Sequence, residues 1–337
     1  MQPARVVSVT RETPSTVTVA FEPASPLVYR PGQFVQVELL LGRGRYRRSY
    51  SLSSVPTDAC PTITVKHVPG GKVSEYFNRR LAPGDQFRVS AAEGNFVLPD
   101  SRAGRRFVML AGGSGIVPVL SLLRTLLAMP SPPAVTLLYY SHSSSDIIFR
   151  ETLHALAGKH PQLDLRLFVT GPRESWDGPA EPFSARHVQD LVGSAVETLY
   201  YMCGPESLLE NIRTTLELGG VDPARLFTEH FSSPPVRERP ASGHAVTFIT
   251  RGPFRLPRLV RARGRAGESL LDVAERHGVK ARSRCRNGYC GACKATLLRG
   301  DVAMDEPNGL SPNDAAAGKI LTCIAYASTP VILDLRG

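Results

Sequence analysis

The stretch Cys285-Arg-Asn-Gly-Tyr-Cys290-Gly-Ala-Cys293, with Cys323 further along the chain, contains four of the six cysteines. Its spacing, C-x4-C-x2-C followed by a distant fourth cysteine, is that of four thiolates around a plant-type [2Fe–2S] cluster. Gly288 and Gly291 lie where such a loop has to bend sharply. The alternative is a structural zinc ion, which favours paired C-x2-C knuckles with two ligands each. We therefore predict a one-electron [2Fe–2S] centre with the metal ligands Cys285, Cys290, Cys293 and Cys323.

Length and composition indicate a soluble protein of several domains. At about 100–200 residues per domain, the 337 residues suggest two or three domains. No apolar segment follows the opening Met-Gln-Pro-Ala-Arg, so we expect no signal peptide. The longest uncharged run, Phe107–Leu123, is interrupted by glycines and Pro118, which indicates strand, turn and helix and no membrane span. Because the cluster needs reduced cysteines, we expect a reducing, cytoplasmic compartment.

The charge is basic, with a net value of +10 over the chain. Nucleic-acid binding would need a basic stripe with aromatic residues, whereas these arginines are spread along the sequence, so we expect no nucleic-acid partner. From His244 onward, 12 Arg and 3 Lys stand against 5 Asp and 3 Glu, a net charge of +7. This indicates a redox partner with an acidic docking surface, bound less tightly as salt rises. The alternative is that the positive charge reflects a generally arginine-rich composition and does not attract a partner at all.

Residues 1–100 have the pattern of a small antiparallel β-barrel. Short β-rich runs alternate with turn clusters such as Arg30-Pro-Gly32 and Ala82-Pro-Gly-Asp85. The predicted strands are Val6–Thr10, Thr16–Phe21, Phe34–Leu40, Arg48–Leu52, Thr62–His67 and Gln86–Val89.

Two stretches of this barrel have features of a binding site. In the strand Arg48-Ser-Tyr50-Ser51-Leu52, alternation places Arg48 and Tyr50 on one face. The tyrosine can lie flat on a planar ring and the arginine can reach a phosphate, although an ordinary amphipathic strand would look the same. The second stretch, Gly70-Gly71-Lys72-Val73-Ser74, leads into a helical pattern and so forms a ready anion site. A glycine turn with a serine N-cap is the alternative there.

Residues 104–231 alternate between strands and helices, which predicts a doubly wound parallel sheet with its ligand at the carboxyl ends of the strands. The turn Gly112-Gly113-Ser114-Gly115-Ile-Val-Pro118 follows the apolar strand Phe107–Ala111, and its glycines let a dinucleotide approach the backbone. Cys203-Gly204-Pro205 follows the last long strand and faces the same crevice. The further elements predicted here are strands at Val135–Tyr140, Leu163–Val169 and Thr198–Met202, helices at Val119–Leu127, Phe149–Lys159 and Glu206–Leu218, and a helical stretch near Ser184–Leu191.

Residues 232–243, Ser-Ser-Pro-Pro-Val-Arg-Glu-Arg-Pro-Ala-Ser-Gly, are rich in proline and serine and read as a semi-rigid linker. Such a tether would hold the following domain, 244–337, at high effective concentration near the rest of the chain. Short mixed strands and one main helix, Ser269–His277, give that domain the pattern of a β-grasp fold, and it resembles plant-type ferredoxins.

Arg48-x-Tyr50-Ser51, Gly71-x-x-Ser74 and Gly94-x-Phe96 together resemble the flavin domain of the ferredoxin–NADP⁺ reductase superfamily. The resemblance implies that Tyr50 stacks on the isoalloxazine, that Ser51 bonds its N5 edge, and that Arg48 and the glycine turn hold the pyrophosphate. The turn after the Lys66-His-Val strand resembles the FAD-using members more than the FMN-using ones. The implied flavin-binding residues are Arg48, Tyr50, Ser51, Lys66, His67, Val68, Gly71, Lys72, Val73 and Ser74.

Gly-Gly-x-Gly-Ile-x-Pro, Cys-Gly-Pro and Glu229-x-Phe231 follow in the order found in the same superfamily. The resemblance implies that the glycines bind NADH or NADPH and that Cys203 borders the nicotinamide. The implied residues are Gly112, Gly113, Ser114, Gly115, Pro118, Cys203, Gly204, Pro205 and Phe231. We expect Ser51 and Cys203 to act in catalysis by tuning flavin N5 and the nicotinamide pocket. Ser141–Asp146 and Arg150 leave the choice of nucleotide open, with a slight preference for NADH.

The order of a flavin domain (1–100), an NAD(P) domain (104–231) and a ferredoxin domain (244–337) resembles the reductase components of multicomponent oxygenases. Relatives of this kind include the reductases of phenylacetyl-CoA epoxidase, ketosteroid hydroxylase, vanillate demethylase and phthalate oxygenase. The resemblance implies electron flow from NAD(P)H through FAD and the cluster to an oxygenase. Two alternatives remain: the same path to another acceptor, such as a hybrid-cluster protein or a desaturase, and a redox sensor without turnover.

Overall fold

The computed structural model describes residues 1–42, 44–101, 104–171, 176–192, 197–231, 240, 242–251, 256–286, 288, 290–305 and 309–336. The chain forms two compact units, Met1–Phe231 and Ser232–Gly337. Most of the predicted linker, residues 232–239 and 241, lies outside the described residues. Among the described helices, none has the length and apolar character that a membrane crossing requires.

The first sheet is an antiparallel barrel, as predicted. Its strands follow the order β4-β3-β6-β1-β2-β5, and a bridge between Leu52 and Ile63 joins the two outer strands. Alternate residues such as Val17, Val19 and Phe21 point into the core. One helix, α1 (Lys72–Arg79), packs against the barrel through Val73 and Phe77. The strands are β1 (Gln2–Thr13), β2 (Thr16–Pro23), β3 (Phe34–Leu41), β4 (Gly44–Ser51), β5 (Thr62–Lys66) and β6 (Gln86–Val89).

The second sheet is parallel throughout, with the order β11-β10-β7-β8-β9. Apolar side chains on both of its faces are covered, which explains the continuous apolar runs of its strands. The strand order reverses at β7, so the crevice between β7 and β10 is the expected ligand position. The elements are β7 (Arg106–Gly112), α2 (Ile116–Leu127), β8 (Val135–Ser141), α3 (Arg150–Lys159), β9 (Leu163–Val169), β10 (Thr198–Gly204), α4 (Glu206–Leu218) and β11 (Leu226–His230).

The helical stretch predicted near Ser184–Leu191 is present but is not an α-helix. Residues near Ser184–Leu191 form two short 3₁₀ helices, Ala185–His187 and Gln189–Leu191. The His187 ring bonds the Ser184 N–H and the Tyr140 hydroxyl, with Nδ1 3.4 Å and 2.8 Å away respectively. The segment is therefore held against the sheet as a capped turn.

The second unit is a mixed sheet of β-grasp type, with strand order β13-β12-β18-β14-β16. β12 and β18 are parallel, and the other neighbours are antiparallel. The Ser269 hydroxyl caps α5, which buries Leu270, Val273 and Ala274 against the sheet. The elements are β12 (Ala245–Arg251), β13 (Pro257–Arg263), α5 (Leu270–Arg276), β14 (Lys294–Arg299), β15 (Val302–Met304), α6 (Pro312–Ala316), β16 (Lys319–Leu321), β17 (Ala325–Ala327) and β18 (Val331–Asp334).

Candidate functional site

The four predicted cluster ligands lie as two pairs of thiols. Cys293 and Cys323 are buried, with their Sγ atoms 3.2 Å apart. Cys285 and Cys290 lie nearer the surface, and the backbone N–H of each donates to the Sγ of the other at 3.4 Å. Two pairs suit two iron atoms with two thiolates each.

Electrostatics favour the thiolate form of one cysteine in each pair, while the pKa of Cys323 is raised by its hydrogen bond with Cys293. Hydrogen bonding from Cys285 lowers the pKa of Cys290 to about 5, and nearby backbone N–H groups and the positive Arg284 act in the same direction. Hydrogen bonding from Cys323 also lowers the pKa of Cys293. The thiolate is the form that binds metal, so one thiol of each pair is prepared for iron.

The loop depends on unusual backbone conformations. Gly288 has φ +88°, and a Cβ there would lie 2.5 Å from the Ile324 side chain, so only glycine fits. Arg286 also has positive φ, +60°, although it is not glycine. Its guanidinium, only 11% exposed, bonds Glu275 at 2.8 and 2.9 Å and Asp272 at 2.9 Å. The helix α5 therefore holds the residue that follows Cys285 in place.

On the barrel, Arg48 and Tyr50 share a face of β4, opposite Val37 and Val35. Tyr50 packs on Phe77 with 5.8 Å between ring centroids, and burial raises the pKa of its hydroxyl above the usual value. Arg48 is exposed, and its Nη1 donates to the Arg47 carbonyl at 2.6 Å. The neutral tyrosine is thus held rigidly, while the arginine head group lies at the surface.

The N-terminus of α1 lies beside the same strand. Lys72 donates to the Tyr46 hydroxyl at 3.0 Å and lies over that ring, and Tyr46 shares the face of Arg48. Ser74 lies inside the first turn, not at the N-cap, and its hydroxyl donates to the Gly71 carbonyl at 3.0 Å. No side chain in the described part of the chain caps α1. Its N–H groups and two cations therefore form a site suited to a phosphate group.

The residues after β5 are placed next to this turn. The His67 N–H donates to the Ser15 carbonyl at 2.7 Å, and the Val68 N–H donates to the Ser74 hydroxyl at 3.1 Å. Both amides are therefore engaged within the barrel, and flavin contacts from them would require these bonds to be exchanged. Val68 is 58% exposed, a large apolar surface beside the anion site. Lys66 ends β5 and is half-buried.

The glycine turn of the parallel sheet packs directly on the end of β10. A Cβ on Gly115 would collide with the Cys203 carbonyl, and one on Gly112 would lie 2.6 Å from Leu208 and 2.8 Å from Pro205. Only backbone fits between the two predicted segments, which brings Gly112–Gly115 and Cys203–Pro205 together as expected. The turn also lies next to β5 of the barrel. The nucleotide turn and strand β5, which ends at Lys66, therefore lie side by side within the unit Met1–Phe231.

Three known domain models match the chain in this order. Residues 3–98 match an oxidoreductase FAD-binding domain, 109–214 an oxidoreductase NAD-binding domain, and 256–328 a 2Fe-2S iron-sulfur cluster binding domain. One component of the 1,2-phenylacetyl-CoA epoxidase of Escherichia coli K12 is 30% identical over 98% of this chain and 96% of its own. The chain belongs to this FAD/[2Fe–2S] reductase family.

Further relatives support the assignment to the FAD/[2Fe–2S] reductase family. The ferredoxin reductase component of the Rhodococcus rhodochrous 3-ketosteroid-9-alpha-monooxygenase is 31% identical over 96% of this chain and 93% of its own. An NADPH oxidoreductase of Mycobacterium tuberculosis is 32% identical over 98% of this chain and 83% of its own. The structure of phthalate dioxygenase reductase has the same fold, with a TM-score of 0.77, 23% identity, and coverage of 99% of this chain and 97% of that one.

As a member of the FAD/[2Fe–2S] reductase family, the protein is an NAD(P)H oxidoreductase with FAD and a [2Fe–2S] cluster. When bound, FAD would accept a hydride from NAD(P)H, and the cluster would pass its electrons on singly. The described residues fit them: a partly buried tyrosine, a cationic helix N-terminus, a glycine turn suited to a dinucleotide, and two thiol pairs. The chain supplies position and electrostatics in this reductase, and the cofactors supply the redox chemistry.

Cys203 of the reductase is 0% exposed, in the core on the α2 side of the sheet. Burial raises the pKa of its thiol well above the ordinary value, and the negative Glu229 of the neighbouring strand adds to the effect. The thiol is therefore neutral at any physiological pH. Phe231 packs against the edge of the same core. A neutral thiol buried in this way packs as a small apolar group.

Sequence reasoning missed two sets of residues in this reductase. In the sequence, Arg286 follows a ligand cysteine and looks like an ordinary surface charge. Asp272 and Glu275, three residues apart on a predicted helix, indicate that a cation binds there. The second set, Ser121 and Arg124 of α2, contacts the loop after β4. Nothing local in the sequence indicates those contacts, because the partners are 67 and 66 residues away.

Proposed function

We propose that this chain is the reductase component of a multicomponent oxygenase or hydroxylase, delivering electrons from NAD(P)H through FAD and [2Fe–2S] to the oxygenase component. The observation that carries the proposal is the full-length similarity to relatives named as parts of such systems, the phenylacetyl-CoA epoxidase and the ketosteroid monooxygenase. Domain limits of 1–100, 104–231 and 244–337, with a tether at 232–243, belong to this proposal.

The first experiment separates an enzyme from a redox sensor. Purified protein is incubated with NADH and cytochrome c or a dye, and acceptor reduction is followed by absorbance. Sustained turnover supports the reductase, whereas bound flavin and cluster without turnover support the sensor. Substrate oxidation with a candidate oxygenase then separates an oxygenase from a hybrid-cluster protein or a desaturase as the acceptor.

Within this function we propose NADH as the preferred donor. Asp146 lies in the loop after β8, where an adenosine ribose is read, and its carboxylate accepts from the Ser143 hydroxyl at 2.8 Å. Arg150 lies over the Trp176 ring, 5.6 Å from the ring to the guanidinium carbon. A carboxylate favours a free 2′-hydroxyl and repels a 2′-phosphate. Turnover is compared with NADH and NADPH in the native protein and in Asp146→Asn, in which the preference for NADH should narrow.

We also propose that the acceptor docks through an acidic surface at the exposed thiol pair. Lys280, Arg282 and Arg284 are exposed at alternating positions that lead directly into Cys285. Among the residues that the structure describes, Asp272 and Glu275 are paired with Arg286, and Asp314 is paired with Lys294 and Lys319. The approach to the thiols is therefore basic, and an acidic partner surface would be attracted to it.

Charge reversal tests this docking surface. Lys280→Glu with Arg282→Glu should weaken electron delivery to the oxygenase and flatten its salt dependence, because the attraction is removed. Arg261→Glu is the matched control, since Arg261 is exposed on β13, at the opposite edge of the sheet from β16 and its neighbour Cys323. If both variants lose electron delivery to the oxygenase equally, the result would count against a specific docking surface.

The compartment is proposed from the thiols. The six cysteines are free, and four of them form the cluster site. Such a set is kept reduced in the cytoplasm, where we place the protein.

A further inference from the structure

Two side chains of α2 join the parallel sheet to the barrel within the unit Met1–Phe231. Ser121 donates from its hydroxyl to the Ser54 carbonyl at 2.6 Å, in a fully buried contact. Arg124 donates from Nη1 and Nη2 to the two carboxylate oxygens of Asp58, each at 2.7 Å. Ser121 and Arg124 are three residues apart, so they extend from one side of the helix. We name these four residues the interdomain latch.

The barrel side of the latch is itself held rigidly. Asp58 Oδ2 accepts from the Val55 N–H at 3.0 Å, and the Asp58 N–H donates to the Val55 carbonyl. The Ser54 hydroxyl accepts from the Thr62 N–H at 2.9 Å and bonds the Tyr29 hydroxyl at 2.8 Å. Displacement of α2 would therefore carry the loop with it or break the latch.

The latch lies a short distance along the chain from both cofactor sites. On the barrel side, Ser54 follows Ser51, at the end of β4, by three residues. On the sheet side, α2 begins at Ile116, directly after the Gly113–Gly115 turn. Ser121 lies five residues into that helix, about 7.5 Å from its start at 1.5 Å per residue. The four residues thus connect the flavin strand to the nucleotide turn through stiff elements.

We propose that the latch sets how closely the nicotinamide approaches the flavin, so that Ser121 and Arg124 are positioning residues for hydride transfer. This rests on the NAD(P)H and FAD assignment. A hydride, that is one proton with two electrons, leaves NAD(P)H, which becomes NAD(P)⁺, and passes to FAD, which becomes FADH⁻; the latch exchanges no proton or electron. A misplacement of about 1 Å costs up to about 100-fold in rate when reacting atoms must be aligned.

The test uses the full-length holoprotein. Anaerobic stopped-flow gives the limiting rate of flavin reduction and the apparent Kd for NADH, and absorbance at saturating nucleotide gives the nicotinamide–flavin charge-transfer band. For Arg124→Gln with Ser121→Ala we expect a limiting rate at least about tenfold lower and a weaker band. Flavin content and Kd should stay within about twofold. Arg124→Lys, which keeps a cation opposite Asp58, should recover part of both losses.

Arg166→Gln is the matched control. Arg166 bonds Asp164 and Asp190 at 2.7 Å each, within the parallel-sheet domain and away from the interface. The proposal is overturned if the latch variant keeps both rate and band, or if Arg166→Gln loses them equally. If the double variant does not fold, the limiting rate and the band are measured in the single variants Arg124→Lys and Ser121→Ala and compared with those of Arg166→Gln. If NADH does not reduce the flavin of the native protein, the assigned function is contradicted instead.

Discussion

Replacing Arg286 by Gln should loosen the cluster loop. Arg286 makes three charged hydrogen bonds to α5 and is 11% exposed, whereas Glu275 and Asp272 are 30% and 55% exposed. A hydrogen bond to a charged group contributes about 1.5–3 kcal/mol, but these carboxylates can rehydrate, which reduces the loss. We expect a net cost of about 2 kcal/mol, concentrated on the segment that carries Cys285.

The assay is the rate of cluster loss in an iron chelator, followed by visible absorbance. If opening of the loop limits the release of iron, a cost of about 2 kcal/mol predicts that the variant loses its cluster about 30-fold faster than the native protein. The matched control is Arg276→Gln, because Arg276 makes a similar bidentate pair with Glu268 at 2.7 Å away from the cysteines. A double-mutant cycle with Glu275→Gln should show coupling of about 1 kcal/mol or more. The reasoning would be refuted if Arg286→Gln changed the rate of cluster loss by less than about twofold, or if Arg276→Gln changed that rate equally.

Three further predictions follow from the flavin and nucleotide sites. Ser51→Ala should slow hydride transfer about fivefold in stopped-flow with flavin retained, since one hydrogen bond contributes about 1 kcal/mol; an unchanged rate would remove its role. Gly115→Ala should weaken NADH binding at least about tenfold, because its Cβ collides with the Cys203 carbonyl, and equilibrium titration would detect this. Because the pKa of the Cys203 thiol is raised in the folded protein, this thiol leaves the free energy of unfolding independent of pH below the pKa of the unfolded thiol, near 8.5. Above it stability should fall by up to about 1.4 kcal/mol per pH unit, and Cys203→Ala should flatten that slope in urea unfolding.

The fold was predictable wherever patterns are local and long. Glu206–Leu218 has helical periodicity throughout, and its bounds agree with the structure. The barrel strands and the parallel strands were found to within a few residues, since alternation and apolar runs extend over each of them. β15 and β17, by contrast, have three residues each, too few for any period to be visible.

The site was predictable where chemistry fixes spacing. The four cysteines and the glycine turns are constrained by a cluster and a dinucleotide; the structure places the cysteines in two pairs and packs Gly112–Gly115 against Cys203–Pro205. Ser74 shows the limit: it belongs to the predicted anion turn, yet its hydroxyl bonds the Gly71 carbonyl, not the helix end. The latch pair Arg124–Asp58 depends on how two domains pack, which no local pattern encodes.

The central claim is that one polypeptide takes electrons in pairs from a nucleotide and gives them out singly through the cluster. Anaerobic titration of the purified protein with NADH, followed by absorbance and EPR in the same samples, tests it most directly. The account predicts bleaching of a flavin spectrum together with the EPR signal of a reduced [2Fe–2S] cluster. A colourless protein that contains zinc, or a flavin that bleaches while the cluster stays oxidised, would contradict it.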